Sequence, residues 1–239
     1  FDVMKMTAQL MPIGETESRT AFLEIQKDGK WTQVGEAEIV VPGWTATFRV
    51  ANWDSTQDTF YRVVFGDDTW SGIVRKDPVD EETIVVAGFT GNHNNSHAVG
   101  AKTGLTNWVE GMWFPHGDIT EKVKTHDPDV LFFSGDQVYE GKSPTFPDRQ
   151  NINLDYLYKW YLWCWAYRDL TRDIPTVTIP DDHDVYQGNI WGENGRPIHV
   201  DNAGGYVHPA DFVKMVHRTQ VSHLPDPFDP DPVEQGIPV

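Results

Sequence analysis

The sequence has little cysteine, little positive charge and no long apolar stretch. One cysteine, Cys164, occurs among its 239 residues, so a disulfide framework and a multi-cysteine zinc site are both excluded. No run of about 18 apolar residues is present, and we therefore expect no membrane-spanning helix. The fold must then depend on a packed core, to which an aromatic content of 13% would contribute.

Acidic residues strongly outnumber basic ones. Lysine and arginine number 19 against 36 aspartates and glutamates, for a formal net charge of −17. Such a chain repels the phosphate backbone, so we do not expect it to coat nucleic acid. A bound cation would still attract a small-molecule phosphate ester locally, because its charge outweighs that of distant carboxylates. Nothing in the composition indicates an oligomeric state.

Residues 1–78 are predicted to form a β-sandwich. Short stretches of β-forming residues alternate with turn residues, and no helical periodicity interrupts them. Asp28-Gly29 is a typical hairpin turn. Strands of this length and spacing indicate a small immunoglobulin-like or fibronectin type III-like module. The predicted strands lie at 21–26, 31–34, 45–50, 60–65 and 70–74.

Residues 79–239 are predicted to form a layered α/β domain, because strand patterns alternate with helical ones. The charged, proline-containing segment 75–82 indicates the boundary. The first strand is apolar throughout, as in strands buried on both faces of a sheet. The predicted strands lie at 83–89, 130–133 and 176–179, and the predicted helices at 118–126, 154–170 and 211–224.

Two features of this α/β part concern its extent and its aromatic helix. Three strands make a thin sheet, because sheets usually have about 5–6 strands, so we expect the domain to be incomplete at its C-terminus. Residues 225–239 contain five prolines and cannot be helical. The helix at 154–170 carries aromatic residues on every face, which favours a buried packing helix over a carbohydrate platform. Cys164 within it is expected to be a small buried apolar residue.

Acidic side chains follow the second and third strands of this part. Asp136 comes after the second strand, and Asp181, Asp182 and Asp184 come after the third. The carboxyl ends of parallel strands meet at one edge of a sheet, and crowded carboxylates repel one another unless a cation neutralises them. The pattern therefore predicts a metal site. The structural alternatives are that Asp136 caps a helical turn and that Tyr139 packs in the core.

Two segments at this edge resemble signature blocks of the PhoD-like alkaline phosphatases, a family of the calcineurin-like metallophosphoesterase superfamily. Residues 135–140 read Gly-Asp-Gln-Val-Tyr-Glu, and residues 180–184 read Pro-Asp-Asp-His-Asp. The resemblance extends to 187–192 and to the N-terminal sandwich. It implies a metallophosphoesterase-type layered α/β domain with phosphoric ester hydrolase activity.

The resemblance implies a role for each matching residue. Asp136 would bridge two metal ions, and Tyr139 would bind one of them as a tyrosinate. Asp182 would hold the second ion, with Asp181 as a further metal-binding residue. His183 would assist departure of the leaving group by protonating it, or would stabilise the phosphoryl transition state. Members of the family use Fe(III) with Ca(II), or other divalent ions such as Mn and Zn. Hard oxygen ligands suit Fe(III), Ca and Mn.

The sequence departs from the family pattern in two places. Gly91 stands at or near the position of a metal-binding cysteine, so either Asn92 or His93 replaces that ligand, or both form a polar loop that contacts the substrate. The family's later histidine-containing blocks have no counterpart, and we expect those ligands on a more C-terminal segment. His217 and His223 are predicted to be surface or packing residues.

Arg196 lies in a loop downstream of the second block. It would either steer a phosphate group or form a structural ion pair.

The expected function is metal-dependent hydrolysis of a phosphomonoester or phosphodiester, in which metal hydroxide attacks phosphorus. One alternative is a phosphatase-like protein that binds a ligand or metal without turnover, favoured by Gly91. A second is a carbohydrate-binding module built on the sandwich and the aromatic residues. The family resemblance also implies export to the periplasm or the extracellular space.

Overall fold

A computed structural model describes residues 3–91, 116–140, 150–187, 197–199 and 205–224. The described elements form a mixed α/β fold with two antiparallel sheets and one parallel sheet. The N-terminal strands are β1 (Val3–Gln9), β2 (Thr20–Lys27), β3 (Lys30–Glu38), β4 (Thr45–Ala51), β5 (Thr59–Phe65) and β6 (Asp68–Val74). The later elements are β7 (Val86–Phe89), α1 (Gly117–Lys124), β8 (Val130–Phe133), α2 (Ile152–Thr171), β9 (Thr176–Thr178) and α3 (Ala210–Val221).

The six N-terminal strands form two antiparallel sheets that share one core. Strands β1 and β4 make one sheet, and the other has the order β3-β2-β5-β6. Met4 and Phe48 from the first sheet are buried in one cluster with Leu23 and Tyr61 from the second. Alternating apolar residues produce this core because successive side chains of a strand point to opposite faces.

The local signals in this part were informative, with one omission. Strands β2 and β3 are joined by Asp28-Gly29, both with positive φ (51° and 75°), as a tight hairpin turn requires. Strand β1 was not among the predicted strands. Its Met, Lys, Ala and Gln residues are weak β-formers, and pairing with β4 along its whole length determines its conformation.

The parallel sheet has the order β7-β8-β9, as the alternating pattern predicted. The prediction that its first strand is buried on both faces is wrong. Strand β7 begins only at Val86, which is 57% exposed, and the preceding Ile84 and Val85 are also exposed. Within the described residues β7 pairs with β8 alone, so apolar composition did not distinguish an edge strand from a central one.

Helix α2 is the centre of the second core, as its aromatic content predicted. Tyr156, Trp160, Trp163 and Tyr167 are buried in it. Phe133 of β8 packs edge-on against Trp163, with ring centroids 4.7 Å apart. Other members of the cluster are Phe89, Leu131, Phe212, Met215 and Val216, and Cys164 is partly buried against it. A tightly packed sheet and helix therefore support the loops at the carboxyl ends of the strands.

The two parts of the molecule contact each other directly. The Tyr61 hydroxyl donates to the carbonyl of Arg172 at 2.8 Å, and the Trp160 indole donates to the Gln9 side chain at 3.0 Å. Trp44 packs against both cores. None of the described helices has the length and apolar character needed to cross a membrane, in line with the expectation from the sequence.

Candidate metal centre

The loops after β8 and β9 lie side by side because both strands are parallel and their carboxyl ends share one sheet edge. Asp136 lies in the first loop, and Asp182 and His183 lie in the second, where His183–Val185 form a single 3-10 turn. The three side chains each offer one ligand atom, and these atoms lie within 4.8 Å of one another. The expected convergence of Asp136 with Asp182 is therefore confirmed.

A glycine allows the two loops to approach this closely. Gly135 has a φ of 106°, and a Cβ atom at this position would lie 2.5 Å from the Cβ of Asp181. Asp136 itself has a φ of 57°, a left-handed conformation that costs a non-glycine residue roughly 1–2 kcal/mol. This backbone conformation turns the chain sharply after β8. Asp136 therefore does not cap a helical turn, which was the structural alternative.

Asp136 has one carboxylate oxygen that is hydrogen-bonded and one that is not. Its Oδ2 accepts a hydrogen bond from the Tyr139 hydroxyl at 2.9 Å, whereas its buried Oδ1 has no hydrogen-bond partner among the described residues. Burial raises the pKa of Asp136, opposed by the Tyr139 hydrogen bond. A buried carboxylate oxygen without a donor is costly, and a cation at this position would compensate for it.

Tyr139 contacts both Asp136 and His183. Its ring centroid is 4.7 Å from that of His183, and the packing alternative is thus incomplete because the hydroxyl points to Asp136. Burial, followed by the hydrogen bond and charge of Asp136, raises the pKa of the Tyr139 phenol well above its ordinary value. A tyrosinate at this position therefore requires a neighbouring positive charge.

His183 is paired with a residue to which the sequence had assigned no role. Its Nδ1 lies 2.8 Å from Oε2 of Glu140. Burial lowers the pKa of His183, but the hydrogen bond and charge of Glu140, together with the charges of Asp136 and Asp182, make the net shift upward. Glu140 belongs to the first signature block, and only the fold places it beside an imidazole 43 residues away.

The other two aspartates of the acidic pattern do not join the three-residue group. Asp181 is exposed, and one of its oxygens accepts from the backbone amide of Asp182 at 2.8 Å. Asp184 is fully buried and accepts from backbone amides of both loops. Burial raises the pKa of Asp184 to about 7, while its N–H donors favour the ionised form. The acidic pattern thus contains two ligand-like aspartates and two with other contacts.

Gly91 borders the same site, as its position at the end of β7 predicted. A Cβ on Gly91 would lie 3.1 Å from the Tyr139 hydroxyl. A side chain at position 91 would therefore reach the candidate metal centre, but glycine supplies none. The expectations for Asn92, His93 and Arg196 fall outside the described residues, as does the proline-rich segment 225–239.

The two histidines on or near the last helix are packing residues. His223 Nε2 lies 2.9 Å from the carbonyl oxygen of Thr176, and burial lowers the pKa of both His217 and His223. Neither belongs to the three-residue group that could hold a cation, as predicted.

Chemically, the described residues fit a cation. Two carboxylates, a phenol and an imidazole offer oxygen and nitrogen ligands; carboxylates suit Ca and Mn, and an imidazole also suits Fe and Zn. The unpartnered Oδ1 of Asp136 is the independent structural sign of such an ion.

We found no protein-family model and no curated protein that matches this chain.

Proposed function

We propose that this chain contains a metal-dependent phosphoric ester hydrolase centre of the PhoD-like type, acting on small-molecule phosphomonoesters or phosphodiesters. In this proposal, the N-terminal part is an immunoglobulin-like or fibronectin type III-like sandwich, and the α/β part has metallophosphoesterase layering. The observation that carries the proposal is the meeting of Asp136, Asp182 and His183 within 4.8 Å at one sheet edge.

Asp136, Asp182 and Tyr139 would hold the metal ions, with Fe(III) and Ca(II), or Mn or Zn, as the proposed pair. Asp181 is proposed as a further metal-binding residue, since it precedes Asp182 in the same loop and is exposed. When bound, such ions supply Lewis-acid activation of the phosphoryl group and a nucleophile at neutral pH. Their charge would also favour the ionised forms of Asp136 and Tyr139, whose pKa values burial raises.

His183 holds the proton that the leaving group needs. Glu140 accepts at Nδ1 of the protonated ring, which leaves Nε2–H as the donor to the departing oxygen. The net upward shift of the His183 pKa favours the protonated ring that this role needs. Glu140 thus orients the acid in the way that a carboxylate orients a histidine in other hydrolytic sites.

The test is hydrolysis of p-nitrophenyl phosphate and bis(p-nitrophenyl) phosphate with added Fe, Ca, Mn or Zn. We expect His183→Ala to lower kcat by about 10²–10⁴-fold, the usual contribution of a general acid. His126→Ala, which removes an exposed imidazole elsewhere, is the matched control and should leave kcat unchanged. Equal rates for the two variants would contradict the proposed role of His183.

A second candidate function is metal or ligand binding without turnover. Gly91 favours it, because no side chain at this position supplements Tyr139. Binding of Mn²⁺ by calorimetry, together with no hydrolysis of either substrate under any of the metals, would support this candidate. The carbohydrate-binding alternative is less favoured because most aromatic residues of α2 are buried.

A further inference from the structure

We infer that Asp184 is a positioning residue that sets the relative placement of the two metal-binding loops and thereby the affinity of the site for metal. This inference rests on the proposed function. Asp184 has a relative exposure of 0%, and it does not belong to the group of ligand atoms formed by Asp136, Asp182 and His183.

Both carboxylate oxygens of Asp184 are fully engaged by N–H donors. Oδ2 accepts from the backbone amides of Asp136 at 2.8 Å and Asp181 at 2.9 Å. Oδ1 accepts from the backbone amide of Val138 at 3.0 Å and from the Gln220 side chain at 2.9 Å. Four donors occupy the approximately four lone-pair sites of a carboxylate. Asp184 therefore binds backbone, and no lone pair is left for a cation.

The donors come from both loops, so Asp184 joins them. Asp136 and Val138 belong to the loop after β8, and Asp181 belongs to the loop after β9. Hydrogen bonds to an ionised acceptor are stronger than those between neutral groups. The distance between Asp136 and the Asp182–His183 pair, which come from different loops, is consequently determined in large part by one buried side chain.

The bond to the Asp136 amide acts on a residue of the site whose φ is positive. Asp136 has a φ of 57°, and residues in such conformations persist only where their surroundings over-determine them. Loss of the acceptor at Asp184 removes one of those constraints. The backbone of Asp136 would then relax, and its carboxylate would move away from the other ligands.

Helix α3 completes this arrangement through Gln220, which is fully buried. Its side-chain amide donates to Asp184 and its side-chain carbonyl accepts from Gln137 at 2.9 Å. Gln137 also donates to the carbonyl of Ile179 at 3.1 Å. The two loops and α3 thus share one buried polar network centred on Asp184, and such networks specify a unique geometry when all members are satisfied.

The test is calorimetric titration of the full chain with Mn²⁺, alongside thermal unfolding. In Asp184→Asn, an NH2 group replaces one acceptor oxygen and faces backbone N–H groups, so the loops lose their shared partner. Mutation of an outer-shell partner typically weakens metal affinity about 10–100-fold, and we expect a loss in this range with the fold retained. Tyr61→Phe is the control: it removes a hydroxyl that donates to the carbonyl of Arg172, outside the network of Asp184, so its Mn²⁺ affinity should equal that of the wild type.

A second variant covers the case in which Asp184→Asn does not fold. Gln220→Met keeps the carboxylate but removes one of its four donors, and we expect a smaller loss of Mn²⁺ affinity. Wild-type affinity in a folded Asp184→Asn variant, or in Gln220→Met when the first does not fold, overturns the inference alone. No uptake of Mn²⁺ by the wild-type chain overturns the metal site itself and the inference with it.

Discussion

At the residue scale, the candidate site depends on how closely two loops approach at Gly135. Its φ of 106° suits glycine, and the missing Cβ leaves room for Asp181. Glycine is thus required here for two separate reasons, one conformational and one steric. The adjacent Asp136 also has a positive φ, and as a non-glycine residue it bears the backbone strain that glycine avoids. Strain of this kind is frequent at functional sites.

Gly135→Ala is expected to destabilise the protein by about 2–4 kcal/mol, because it adds a backbone penalty to overpacking against Asp181. Gly29→Ala is the control, since Gly29 also has positive φ but a Cβ there meets nothing within 4 Å. Urea unfolding measures both. A loss for Gly135→Ala no larger than that for Gly29→Ala would mean that the loops can separate without cost.

At the element scale, helix α2 carries a buried ion pair beneath the second loop. Lys159 Nζ lies 2.9 Å from Asp155 Oδ2, and both side chains are nearly inaccessible. The hydroxyl of Tyr186, which follows the turn that contains His183, donates to the same oxygen at 2.7 Å. The pair therefore connects α2 to the loop that holds the proposed acid.

We expect Lys159→Met to lower the free energy of unfolding by about 3–5 kcal/mol, because it leaves Asp155 buried without its cation. Lys124→Met on α1 breaks an exposed pair with Glu121 and should change stability by only about 0.5 kcal/mol or less. Urea unfolding again provides the measurement. Similar effects of the two substitutions would show that the buried charge of Asp155 is compensated by its other neighbours.

The positions of most helices and strands were predictable from the sequence, but their exposure and their pairing partners were not. Helix α2 and strand β8 follow from strong periodicity and apolar composition, and the hairpin follows from Asp28-Gly29. Exposure of β7 did not follow, because it depends on which strands lie beside it. Strand β1 was missed because its pairing with β4, whose residues lie 36 to 48 positions further along the chain, outweighs its weak propensity.

At the scale of the whole molecule, the β part and the α/β part are joined by specific buried contacts. A Cβ on Gly72 would lie 2.5 Å from the carbonyl oxygen of Arg172, which shows how closely β6 approaches the end of α2. The Ile73 amide donates to the Asp173 carboxylate at 3.0 Å. The predicted boundary at 75–82 thus separates two patterns of sequence whose products pack against each other.

We expect the two parts to unfold in one transition, so that tryptophan fluorescence and far-ultraviolet circular dichroism give the same urea midpoint. Tyr61→Phe removes the donor to Arg172 and should lower stability by about 0.5–1.5 kcal/mol for both signals. Tyr158→Phe, at a tyrosine that is 38% exposed, is the control. Separate midpoints, or an effect of Tyr61→Phe on one signal only, would indicate independent units.

The sequence by itself determined the order of strands and helices, the mixed α/β class and the placement of acids after parallel strands. These properties follow from local propensity, periodicity and the rule that carboxyl ends of parallel strands share an edge. Only the tertiary structure distinguished Asp136 and Asp182, which meet, from Asp184, which binds backbone, and paired Glu140 with His183. Four aspartates look alike in a sequence, because the partner of each carboxylate is decided by burial and by residues far away along the chain.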